Sequence, residues 1–335
     1  MLRTNTMPST PVRRSAFVLA GALAGAVAAV ASAQPVTLDL VKVGAPGNRA
    51  TLPHEVVNRP DLRIGAVGYE YWIGRTEITV AQWLPFVNAY APYWQGSPDD
   101  PQFTSWYTWR ENGRYVADPG VMQWPVNVGW RVAAIYCNWL HNEQRSDRAA
   151  FERGAYDIAL FTTNQWGQPV EQATRSPGAR YWIPSYDEWI KAAYYDPNRY
   201  GPGQEGYWRN PARGDRQMIS GLPSLGGETS AGRVMPGDPW RLPVGSYAGV
   251  ESPWGLMDVS GGEWEWSEAL DLASRRVLGS RTRGDLEDYV DERWSTGPTE
   301  WATSGLRVAS SVPTAWTLGP MVVMVALSRR RRRCS

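Results

Sequence analysis

Thiols and imidazoles are nearly missing from this chain: its 335 residues include two cysteines, Cys137 and Cys334, and two histidines, His54 and His141. With Cys334 next to the last residue, the body of the chain has a single thiol. An internal disulfide is therefore excluded there, even in a compartment that would allow one. The histidines lie far apart with no H-x-x-H spacing, which removes the usual imidazole-based metal motifs. There is no nucleophile elbow, no phosphate-cradling glycine loop and no paired-cysteine zinc spacing. No segment recurs with a period of about 20 to 50 residues, so solenoids and propellers are excluded as well.

Acidic residues are missing from both ends. Arg3, Arg13 and Arg14 precede a small apolar run from Ala16 to Val30, followed by Ala31-Ser32-Ala33. A basic region, a short apolar region and an A-x-A site predict a secretory signal over 1–33, an uncleaved anchor being the alternative. At the other end, the apolar stretch Ala315 to Leu327 runs into Arg329 to Arg333. It falls short of the roughly 20 residues of a full span and contains Pro320, so it predicts a short membrane-directed tail over 312–335. The tail resembles PEP-CTERM sorting tails, but Val312-Pro313-Thr314-Ala315 stands where Val-Pro-Glu-Pro is usual. These ends hold eight of the 34 basic residues and none of the 33 acidic ones, so the domain between them carries a net charge of −7. That argues against nucleic acid, which selects basic surfaces.

What the chain does have is tryptophan, nearly all of it in the domain at 34–311: 19 Trp and 16 Tyr stand against 5 Phe. Aromatic rings with a polar handle suit either irregular hydrogen-bonded loops or a binding surface. Tyr69 to Gly74 reads as a strand. Thr79 with Gln82 forms a capping box, and Val80, Trp83, Leu84 and Val87 follow at helical spacing. Trp130, Ala133, Ala134, Cys137 and Leu140 make a second apolar stripe, with Cys137 expected in the core. Ser185 and Glu188 open a third helix, with Trp189, Ala192 and Ala193 inward. The segment 196–240 is rich in Gly, Pro, Asn and Asp and is long for a loop in a compact domain, which marks it as functional or disordered.

Four blocks and a closing motif stand in order. The first is Arg75-Thr76-Glu77-Ile78-Thr79 with Trp83; the second is Pro125-Val126-Asn127-Val128-Gly129-Trp130 with Tyr136-Cys137-Asn138-Trp139-Leu140. The third is Ile183-Pro184-Ser185 with Glu188-Trp189. The fourth runs from Gly255-Leu256-Met257-Asp258 to Glu263-Trp264-Glu265-Trp266, and Gly305-Leu306-Arg307-Val308-Ala309 closes the domain. Together they resemble the formylglycine-generating enzyme, or sulfatase-modifying factor, domain family over about residues 40 to 310. The resemblance implies an α+β fold, a C-type-lectin-like variant with much irregular loop.

The family's enzyme oxidises a substrate cysteine with two thiols and copper, and its thiols fall between the W-E-W block and G-F-R-V-A. Here that interval, Ser267 to Ser304, has no cysteine. Neither copper nor the histidine-held iron of another branch is expected, since soft thiolates or clustered imidazoles are what those metals need. A structural calcium is implied at Asp258 (carboxylate), Gly261 and Glu263 (carbonyls) and Glu265 (carboxylate), hard oxygen donors from one loop. The old active-site groove is expected along Trp266, Ser280, Arg283, Asp285 and Trp294. It would receive a polar ligand or protein of the envelope or extracellular space. An enzyme with substituted chemistry at Ser280 and a structural envelope component are the alternatives.

Overall fold

A computed structural model describes residues 35–232, 241–271, 274–282, 289–290, 294–295 and 303–313. The expected signal, the tail from Thr314 onward, and the groove residues Arg283 and Asp285 lie outside the described residues. Within them, all three predicted helical segments are helices, the first and third with their capping boxes. Strand β1 (Leu40–Val43) pairs antiparallel with β2 (Tyr71–Gly74). Helix α1 (Val80–Tyr90) follows, with the reciprocal Thr79–Gln82 box in place. Strands β3 (Thr108–Glu111) and β4 (Arg114–Ala117) form a hairpin, then α2 runs over Trp130–His141. After β5 (Tyr181–Trp182), α3 (Tyr186–Tyr194) carries the Ser185–Glu188 box. Strands β6 (Glu265–Asp271), β7 (Ser274–Leu278) and β8 (Trp294–Ser295) form a three-stranded sheet, and β9 is Ala309–Ser310.

The main sheet has the order β1-β2-β9-β5. Ala309 in β9 is registered against Ile73 on one side and Trp182 on the other. The last described strand is thus wedged between elements from the first and middle parts of the chain. Short strands and a few helices joined by long irregular loops are the α+β, C-type-lectin-like arrangement that the family resemblance implied. No helix among the described residues is long and apolar enough to cross a membrane.

The abundance of tryptophan follows from this architecture. Trp83, Trp130, Trp189 and Trp266 are all fully buried, and each indole N–H needs an acceptor. Trp83 donates to the Phe103 carbonyl at 3.1 Å. Trp130 donates to the Ser267 carbonyl at 3.0 Å, and Trp266 returns the favour to the Val128 carbonyl at 2.8 Å. This pair of crossed bonds staples the start of α2 to β6. Phenylalanine would leave those loop carbonyls unbonded, at about 1–3 kcal/mol each, and its smaller ring would leave a void besides. Cys137 sits wholly enclosed on the inner face of α2, as its position in the apolar stripe predicts.

Candidate functional site

The sequence blocks converge on one buried ion pair. Arg307, just before β9, is fully enclosed, and so is Glu265 at the start of β6. The guanidinium spends every donor: Nε on Glu265 (2.8 Å to Oε2), Nη2 on Glu265 Oε1 (2.6 Å) and the Met257 carbonyl (2.9 Å), Nη1 on the carbonyls of Gly74 (2.9 Å) and Arg75 (2.7 Å). Glu265 Oε2 also accepts from the indole of Trp189 on α3 at 2.7 Å. One arginine therefore gathers β2, the loop before β6, β6 itself and, through Glu265, α3.

More carboxylates crowd beside this pair. Glu77, between β2 and α1, accepts the Glu263 backbone N–H on Oε1 at 2.8 Å, while its buried Oε2 has no hydrogen-bond partner. Burial first, and then the charge of Glu265, push the Glu77 carboxyl well above the ordinary range. Gly262 lies so close that a Cβ there would stand 2.3 Å from Glu77 Oε2, and its φ of +65° also asks for glycine. Asp258 accepts the Gly245 N–H at 2.5 Å and is raised mainly by burial. Glu263 forms an ion pair with Arg241, yet burial still lifts it to about 6. A cavity of about 10 Å³, room for roughly one water, lies between Glu77 and Asp258.

The expected groove residues are placed differently. Trp266 and Ser280 are fully buried, so neither lines an open groove. Trp266 is held inward by its bond to Val128, and Ser280 Oγ accepts the Gly261 N–H at 3.2 Å and touches Ser260 Oγ at 3.3 Å. Trp294 pairs with Val277 across β7–β8.

An open cleft of about 620 Å³ lies elsewhere, lined by Tyr69, Arg175, Trp182 and Glu268 among others. Arg175 stacks over the Trp182 indole at 4.1 Å and bonds Glu188 Oε1 at 2.9 Å. Glu188 thus both caps α3 and anchors this arginine. Glu268 accepts from the Tyr156 hydroxyl (2.8 Å) and the Arg175 backbone N–H (2.6 Å). Burial nevertheless outweighs Arg175 and lifts Glu268 to about 7. Glu77 and Arg307 stand in the sequence blocks without an assigned site role, and Glu268 stands outside them. The conspicuous signal for Arg307 was the closing Gly305-Leu306-Arg307 motif itself.

Residues 40–284 match the sulfatase-modifying factor enzyme 1-like domain. The chain belongs to that family. No curated protein matches the sulfatase-modifying-factor-like chain. Among solved structures it is similar to CarF, at 19% identity and a TM-score of 0.46, over 83% of this chain and 99% of that one. It is also similar to Treponema denticola variable protein 1, at 16% identity and a TM-score of 0.46, over 81% and 94%. PvdO from Pseudomonas aeruginosa matches at 15% identity and a TM-score of 0.44, over 84% and 100%.

Glu268 gives the family domain a measurable pH signature. Its folded pKa of about 7 lies above the 4.5 of a free glutamate, so between those values the folded state holds the extra proton. Stability contributed by the protonated group is present below the unfolded value and is lost as pH rises toward 7, by about 3 kcal/mol. Thermal melts from pH 5 to 8 should show this decline, and Glu268→Gln should flatten it. An unaltered slope in the variant would refute the assignment.

Proposed function

We propose that this chain is an exported, non-catalytic member of the sulfatase-modifying factor family that works by binding a polar ligand. The observation that carries the reading is the state of its thiols. Cys137 is enclosed on the inward face of α2, and burial pushes its thiol well up, the opposite of what a reactive thiolate needs. The interval Ser267 to Ser304, where the family's thiol pair belongs, has no cysteine, and Cys334 follows the arginine run of the tail. The scaffold is kept and the oxidising pair is not, and a fold of this kind hosts function in its loops. Export is supported by the basic, apolar and A-x-A succession at 1–33, and tethering by the apolar stretch and arginines of a PEP-CTERM-like tail at 312–335.

Calcium belongs to the same reading, as a structural ion. Asp258, the carbonyls of Gly261 and Glu263, and Glu265 would hold it, Glu265 doing so while bonded to Arg307. The donor set suits a hard cation, with two carboxylates and two carbonyls from one loop. Among the described residues no three His, Cys, Asp or Glu side chains are placed to hold one metal ion, and this set uses only two, the other donors being carbonyls. The electrostatics support it too. Glu77, Asp258, Glu263 and Glu265 share a dry neighbourhood with two buried guanidinium groups, Arg307 and Arg241, and the unbonded Glu77 Oε2 marks the imbalance. A divalent ion would balance that charge and stiffen the loop.

Two experiments test these statements. Incubated with copper and a sulfatase-type cysteine peptide, the purified protein should yield no formylglycine by mass spectrometry; a formyl product would overturn the non-catalytic reading. Saturating Ca²⁺ should raise the unfolding midpoint by the equivalent of about 2.7 kcal/mol at a hundredfold excess over Kd, and chelator should reverse it. A midpoint indifferent to both would remove calcium from the account.

A further inference from the structure

Most arginines of the described domain are consumed internally. Arg49, Arg131, Arg175, Arg199, Arg241 and Arg307 all pair with carboxylates. Arg110 and Arg114 are different. Both are exposed on the β3–β4 hairpin, and neither makes an ion pair or side-chain hydrogen bond among the described residues. Glu111 stands opposite Arg114 in the ladder without pairing to it. In a domain of net charge −7, two unspent guanidinium groups on one hairpin are a local exception.

They flank a cleft of about 500 Å³, within the range of small-ligand sites, with Trp94, Tyr115, Pro92 and Pro98 in its walls. This cleft is preformed. The hairpin turns on Asn112 and Gly113, both left-handed (φ 47° and 80°), which suits the tight two-residue connection and fixes where the arginines sit. Strand β4 is tied to α1 because Asn88 accepts the Tyr115 N–H (2.9 Å) and donates to the Tyr115 carbonyl (2.9 Å). The Tyr115 hydroxyl is spent on the Pro98 carbonyl at 2.7 Å, and the Trp94 indole N–H on the Ser97 carbonyl at 2.8 Å. Trp94 stacks on Phe103 and stays half-buried, so its ring is a fixed apolar wall.

The unspent polar groups of these walls are therefore cationic forks, set beside a rigid aromatic and two prolines. A guanidinium reads a planar carboxylate or a sulfate with paired hydrogen bonds. An aromatic and proline wall offers flat apolar contact to a ring. An acidic peptide fits less well, because the backbone edge it would pair with at Tyr115 is already closed by Asn88. We propose that this cleft binds acidic sugar units of a polysaccharide, Arg110 and Arg114 taking the anionic groups and Trp94 the ring face. The proposal rests on the binding-domain reading and supplies its ligand class; the formylglycine assay is independent of it.

The test is titration of the purified protein with polygalacturonate, dextran sulfate, neutral dextran and polyglutamate. Saturable binding to either acidic polysaccharide, weakened by salt and falling about tenfold or more in Arg110→Ser/Arg114→Ser, is expected, with little binding to dextran. The two acidic arms separate carboxylated from sulfated sugars. Both substitutions lie on exposed hairpin positions, and an unchanged thermal midpoint would confirm that the variant folds. Equal binding by the variant would overturn the site while leaving the binding-domain reading intact. Equal affinity for polyglutamate, or no binding to either acidic polysaccharide, would overturn the ligand class.

Discussion

A single guanidinium holds this fold to one arrangement. Arg307 comes from the last described stretch of the chain and is fully enclosed, so each of its donors must be met by protein. They are met by β2, by the Met257 carbonyl and by Glu265, which in turn binds Trp189 of α3. A buried ion pair is poor evidence of net stability, because desolvation offsets much of the attraction. What it supplies here is specification. If any one of those elements is misplaced, a charge is left unpaired in a dry interior, at several kcal/mol. With so little regular structure, the molecule depends on such point constraints more than a helical bundle would.

Tryptophan extends the same logic to neutral loops. Its ring fills core volume while its N–H fixes one carbonyl, as the crossed Trp130–Ser267 and Trp266–Val128 bonds show. Of the two explanations that composition left open, loop bonding or a binding surface, the structure shows the first. The buried indoles tie loops, while Trp106 and Trp166 stay largely exposed. The cluster of carboxyl groups around Glu77 is the counterpart: a region where buried acids outnumber their buried arginine partners and where a loop carbonyl set is at hand.

What could be read in advance was local. The Thr79–Gln82 and Ser185–Glu188 boxes are made within three residues, and both helices start where those residues place them. Cys137 follows from the 3.6-residue stripe of α2. The site was legible as a set of blocks but not as geometry. Glu265 and Arg307 are 42 positions apart, and Glu77 and Glu263 are 186 apart, so no spacing rule joins them. Trp266 and Ser280 were expected on a groove wall. Position in the family pattern cannot tell which face of a short, irregular strand is covered, and β6 shifts register between Trp266 and Leu270. The Asn112-Gly113 turn carried a readable hairpin signal, and its arginine cleft emerged only once β4 was seen against α1.

The proposed function rests on the loss of the family's copper-thiolate chemistry from a scaffold that keeps the frame built on Arg307. Its most direct test is a Cu(I) competition titration of the Cys334→Ser protein against a chromophoric chelator. The account predicts that the folded protein withdraws no copper, because Cys137 is enclosed and Ser267 to Ser304 offers no thiolate. Withdrawal of one equivalent by the native protein would contradict it.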